Sequence, residues 1–140
     1  MDMDGEADRR RLLDAYLKFG NPNSALPVAQ NTGLLMFYCM QFLKDCVYEI
    51  PALDCVAVAE FEGDTLLLND VFGAGAPLHA VLSALAAEST KTAALGFTPA
   101  DTSGFHCEPR REAGSTMFAE GDLMQILLEH RVMFPLLSHT

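Results

Sequence analysis

Basic residues are scarce in this chain. Nine Lys and Arg stand against nineteen Asp and Glu, for a formal net charge of −10. A partner with a phosphate backbone is therefore excluded as an expectation, since nucleic-acid binders neutralise phosphates with Lys and Arg. The two basic clusters, Arg9-Arg10-Arg11 and Arg110-Arg111, each sit beside acids. No apolar run reaches the ~18 residues that span a bilayer, so no membrane partner is expected. The start, MDMDGEADRRR, lacks the apolar core of a signal peptide, so a cytoplasmic location is the expectation. The four cysteines, Cys39, Cys46, Cys55 and Cys107, form no CxxC pair. The four histidines, His79, His106, His130 and His139, show no HxH or HExxH spacing. Zinc, thioredoxin-like and other metal chemistry therefore lack their ligand patterns.

What is present is a globular composition. Half of the 140 residues are hydrophobic and a fifth are charged, enough for one domain with a real core. Residues 1–7 read as a flexible N-terminus and residues 8–140 as a single domain. Asp8 to Phe19 reads as an amphipathic helix with Leu12, Leu13, Tyr16 and Leu17 on one face, Asp8 as cap, and Gly20-Asn21-Pro22 as its stop. Asn21 to Thr32 is loop-like, with two prolines and no sustained period. Gly33 to Cys46 is apolar nearly all round, which predicts a helix buried nearly all round, with Phe37 and Phe42 both inside. Val47 to Ile50 reads as a short strand stopped by Pro51.

The centre of the chain is Cys55 to Pro77. Two β-forming runs flank Glu62-Gly63-Asp64-Thr65, where Gly63-Asp64 fits a type II′ or I′ hairpin. That turn predicts a register: Phe61 opposite Leu66, Glu60 opposite Leu67, Ala59 opposite Leu68, Val58 opposite Asn69, Ala57 opposite Asp70 and Val56 opposite Val71. Glu60 and Asp70 then fall on opposite faces. Both faces are largely apolar, as suits a central hairpin covered on both sides. A glycine-rich loop follows, Val71 to Pro77, and then a helix, Pro77 to Glu88, with Leu78, Val81, Leu82 and Leu85 as its stripe. Lys91 to Thr98 reads as a strand, Ser115 to Glu120 as another, and Asp122 to His130 as a helix. The apolar tail RVMFPLLSHT is expected to pack. The predicted class is α/β in the broad sense, or α+β: a mixed, largely antiparallel sheet with helices on both faces.

This order of elements resembles the core of the GNAT N-acetyltransferase superfamily, and more specifically the C-terminal part of longer bacterial GNAT-annotated proteins. The residues that carry the resemblance are Gly20-Asn21-Pro22, Leu35-Met36-Phe37-Tyr38-Cys39, Val58 to Leu66, Leu95-Gly96-Phe97-Thr98-Pro99, and Met133 to His139. The resemblance implies acetyl-CoA as cofactor, with no metal. It implies pyrophosphate binding at a strand-to-helix loop of pattern Q/R-x-x-G-x-G/A, which falls here on Gly73, Ala74, Gly75 and Ala76. The chain departs from that pattern upstream, where Asp70 and Val71 replace the Gln or Arg. It also lacks a tyrosine after the hairpin, since Tyr16, Tyr38 and Tyr48 all precede it. In the longer relatives a complete GNAT module would precede this segment.

Two functions follow. One is an N-acetyltransferase domain, degenerate or accessory, in which Asp70 or Glu60 would accept the proton of an attacking amine. The other is a non-catalytic interaction module that packs on a GNAT partner or on a second copy of itself. His106-Cys107-Glu108 places three reactive side chains in a row, but catalytic pairs usually converge from distant segments, so it reads as a solvated loop.

Overall fold

A computed structural model describes residues 1–109 and 132–138, together with Asp122, Gln125, Leu127 and Glu129. The elements α1 (Glu6–Phe19), α2 (Thr32–Gln41), β1 (Val47–Ile50), β2 (Cys55–Glu62), β3 (Thr65–Gly73), α3 (Leu78–Leu85) and β4 (Thr92–Leu95) follow one another in that order. The strands form one mixed sheet in the order β1-β2-β3-β4. The first three are antiparallel, and β4 lies parallel to β3 because α3 carries the chain back across the sheet. This is the expected α+β architecture. The expected strand at Ser115–Glu120 lies outside the described residues, as does most of the expected helix at Asp122–His130. Of that helix the four described positions are helical.

The hairpin turn is type II′. Gly63 has φ of +61° and Asp64 is not among the positive-φ residues. The register follows the sequence reading from Glu62–Thr65 to Ala59–Leu68 and then slips. Val58 pairs with Asp70, Ala57 with Val71 and Val56 with Phe72, so Asn69 is a β-bulge with no partner of its own. The three pairings predicted beyond Ala59 are each wrong by one residue. An inserted residue reverses the in-and-out order of everything after it. Asp70 therefore lies on the same face as Val56, Val58 and Glu60, not opposite Glu60.

Each face carries its own core. Leu12, Ala15 and Tyr16 of α1, with Leu35 and Cys39 of α2, pack on Val56, Val58 and Phe72. Leu78 and Val81 of α3 pack on Ala57, Ala59, Leu66, Leu68 and Val71. Tyr16 meets Phe72 edge to face, with ring centroids 5.2 Å apart.

Three expectations about this layer need correction. First, the Gly33–Cys46 segment is not buried all round: Phe37 of α2 is 47 % exposed and Phe42, just past its end, 68 %. α1 packs directly on β2 and β3 and takes the central position, so α2 flanks it and buries one side only. Second, Leu17 of α1 points to solvent, because Ala15 and Tyr16 turn inward instead. Third, the first residues pack rather than fray, with Met3 fully buried in the core. Gly5, not Asp8, precedes α1, and the Asp8 carboxylate accepts the Asp2 N–H. The described part of the tail, 132–138, packs as expected: the Leu136 N–H donates to the Gly96 carbonyl, and Leu137 is buried.

Candidate functional site

Open α/β sheets present ligands beyond the carboxyl ends of parallel strands. Here that place lies past the ends of β3 and β4, and the bulge shapes it. Asn69 is almost fully buried and donates from Nδ2 to Glu60 Oε2 over 2.7 Å. Gly96, just after β4, rests on the bulge: a Cβ there would lie 2.9 Å from Asn69 Cα and from the Asn69 carbonyl oxygen. The next residue, Asp70, turns into the helical face. Its Oδ1 accepts from Asn21 Nδ2 over 2.6 Å and from the Val71 N–H over 3.0 Å.

Among the described residues Asp70 has no cationic partner. Burial pushes its carboxyl up from 3.8 to about 7, against the lowering effect of the two hydrogen bonds. Burial, and then the Asp70 charge, push the Cys39 thiol up to about 12. Burial, and then Glu60, raise Cys46. Both thiols are thus held in the protonated form, the weaker nucleophile. The space beside Asp70 is a cavity of about 10 Å³ between Tyr16, Asn31, Phe72 and Leu137, room for a single water at most.

The candidate phosphate loop has local reasons for its glycines. Gly73 is the last residue of β3 and pairs with Cys55, and a Cβ on it would fall 2.5 Å from Cys55 Cβ and 2.8 Å from the Asp54 carbonyl oxygen. Gly75 has φ of +98°, which a residue with a side chain rarely adopts. Ala74 is exposed, and the Ala76 carbonyl accepts a hydrogen bond from Asn23 Nδ2 over 3.0 Å.

That last contact belongs to a segment whose role the sequence reading missed. Asn21–Ala25 runs as a strap across the ends of β3 and β4. Asn21 holds Asp70, and its own Oδ1 accepts the Asn23 N–H. Asn23 bonds Ala76 with its side chain and accepts the Ala100 N–H with its carbonyl. The Ala25 N–H donates to the Thr98 carbonyl, and Ser24 bridges Pro99. Asn21 and Ser24 are buried. The only sequence signal was Asn21-Pro22-Asn23-Ser24 itself, in which Asn side chains favour local backbone bonds. Nothing in it named their distant partners.

The remaining candidates do not converge. Glu60 shares a face with Asp70 but is engaged by Asn69. His106 bonds Glu108 at 2.9 Å on the surface, and Cys107 is exposed. Among the described residues no group of His, Cys, Asp and Glu could hold a metal ion. An open groove along α1 is lined by Arg11, Asp14, Leu17, Lys18 and Asp54. Its guanidinium is already bound to Glu49 at 2.7 Å and to Asp54 at 3.1 Å. Among the described residues no helix is long and apolar enough to cross a membrane.

The fold and this site define a small α+β architecture, among the described residues a mixed four-stranded sheet flanked by three helices. No family model, curated protein or solved structure matches the chain.

Proposed function

We propose that the chain is a GNAT-like module that acts by packing on a protein partner rather than by transferring acetyl groups. The three antiparallel strands, the glycine-bearing loop, α3 and the parallel β4 are compatible with a GNAT core. The observation that carries the non-catalytic reading is the strap. Asn21–Ala25 is bonded to Asp70, Ala76, Thr98 and Ala100, which together rim the place where a ligand would enter. The glycines of the loop are accounted for by Cys55 and by backbone angle. Among the described residues no basic side chain offsets Asp70 for an approaching pyrophosphate.

One observation favours the catalytic reading. A carboxyl near pH 7 is poised to accept a proton from an amine. Yet Asp70 reaches no space larger than one water, and a substrate amine could touch it only after the strap had left.

Titration calorimetry with acetyl-CoA tests the proposal. No heat of binding is expected from the unmodified protein or from Asp70→Asn, whose lost charge would favour a phosphate. Saturable binding by the unmodified protein would return the enzyme reading to first place. Asp70→Asn would then bind more tightly, and salt would narrow the gap by screening.

A further inference from the structure

We infer that the outer face of α2 is a self-association surface, on which two copies of this chain meet about a two-fold axis. The inference rests on the packing-module reading and names its partner. Between Lys18 and Lys44 there is no Asp, Glu, Lys, Arg or His, although a fifth of the chain is charged. Within that stretch Leu35 and Cys39 face the core, while Phe37 and Phe42 stand exposed at 47 % and 68 %. Their rings meet each other edge to face, with centroids 5.4 Å apart, and Phe37 meets Tyr38 at 5.9 Å. The apolar surface is thus a pre-assembled aromatic cluster that loses little side-chain freedom on contact, the kind of anchor that dominates interfaces.

Charge limits where two copies can meet. In a two-fold contact each surface residue meets a surface of its own kind. Two chains of formal charge −10 repel wherever their acidic surfaces face. The uncharged face of α2 is where copies can approach without placing carboxylates opposite carboxylates. Beyond it Lys44 is bonded to Asp4 at 2.7 Å, and the exposed Asp45 is the first carboxylate that a two-fold contact must keep at its rim. A contact of α2 with its symmetry mate would cover both aromatic clusters and leave the acidic surfaces outside.

Sedimentation equilibrium of the whole 140-residue chain over a concentration series tests this, at moderate salt to screen the residual repulsion. The unmodified protein is expected to approach twice the chain mass. Phe42→Glu should weaken association by about 30-fold or more, with Phe37→Glu acting alike and both still melting cooperatively, only slightly below the parent, when dilute. Phe61→Glu removes another exposed phenylalanine (45 % exposed) from the opposite face of the sheet and should leave association unchanged. A chain that stays monomeric throughout overturns the inference, and so does equal weakening by Phe61→Glu and Phe42→Glu. A monomer that ignores acetyl-CoA sinks the dimer alone. Acetyl-CoA binding sinks the packing-module reading whatever mass is found.

Discussion

Asn21 and Asp70, 49 residues apart in sequence, share a buried hydrogen bond of 2.6 Å that joins the strap to the bulged end of β3. The bond is partial compensation: one amide donor and one backbone N–H face a carboxylate that burial holds at a raised pKa. Buried carboxylates without a cation are costly in their charged form. The strap is thus fastened by a group that weakens the fold when it ionises.

The sign of the resulting pH dependence follows. The folded pKa of Asp70 is about 7 and the ordinary value 3.8, so between those values the folded state binds more protons than the unfolded one. Stability from this group is full below about pH 4, falls as pH rises, and reaches its floor above pH 7. The span is roughly 4 kcal/mol at most, at 1.36 kcal/mol per pKa unit. Asp4 and Asp101 are lowered, by Lys44 and Ser103, and act the other way, but both are fully exposed. Denaturant melts should show lower stability at pH 8 than at pH 5. Asp70→Asn should remove most of that difference by stabilising the protein at pH 8. A mutant that keeps the parent's pH profile would place the effect elsewhere.

Asn21→Ala removes the amide donor and leaves the carboxylate with the Val71 N–H. The cost should be about 1.5–3 kcal/mol where Asp70 is charged, the range for a hydrogen bond to an ion. It should shrink at pH 5, where the neutral carboxyl needs less help. Hydrogen exchange at Ala25 and Ala100, whose N–H groups bond within the strap contacts, should quicken in the same variant. Equal destabilisation at both pH values would mean that Asn21 acts through packing alone.

Gly73 and Gly63 separate two reasons for glycine. A Cβ at Gly73 meets Cys55 and the Asp54 carbonyl far inside contact distance, whereas Gly63 has open space and only its φ of +61° to defend. Gly63→Val should cost roughly 1–3 kcal/mol through backbone strain, with Asp64→Asn mild. Gly73→Ala should cost more than Gly63→Ala, because backbone and Cβ atoms cannot swing aside. Thermal melts in the reverse order would mean that β2 and β3 are less tightly paired at Cys55–Gly73 than the structure has them.

The legible part of the fold was the part fixed locally. The Glu62–Thr65 turn set the near half of the hairpin, Pro77 marked the start of α3, and Pro51 ended β1. The illegible part depended on contacts between distant segments. Nothing near Asn69 announces a bulge, which is held by Glu60 on another strand and by Gly96 beyond β4. That one residue moved Asp70 across the sheet and onto the face of Glu60. The strap was visible only as a polar loop, because its partners, Asp70, Ala76 and Thr98, are not its neighbours in sequence. The strand-to-helix loop lies where the sequence placed it, but sequence pattern cannot tell an anion cradle from close approach to Cys55.

The same limit explains α2, and a pair of substitutions tests it. An apolar segment can be apolar because the core covers it or because a partner does, and its composition is the same in both cases. Phe72 lies beneath α1 at 1 % exposure and Phe42 stands at 68 %. Phe72→Ala should cost roughly 3–5 kcal/mol, the transfer term plus an unfilled cavity against Tyr16. Phe42→Ala, measured dilute enough to keep copies apart, loses only its ring contacts with Phe37 and Tyr38. It should cost under about 1.5 kcal/mol. If the two variants melt alike in dilute solution, α2 is covered within the single chain, and its aromatic face belongs to the core after all.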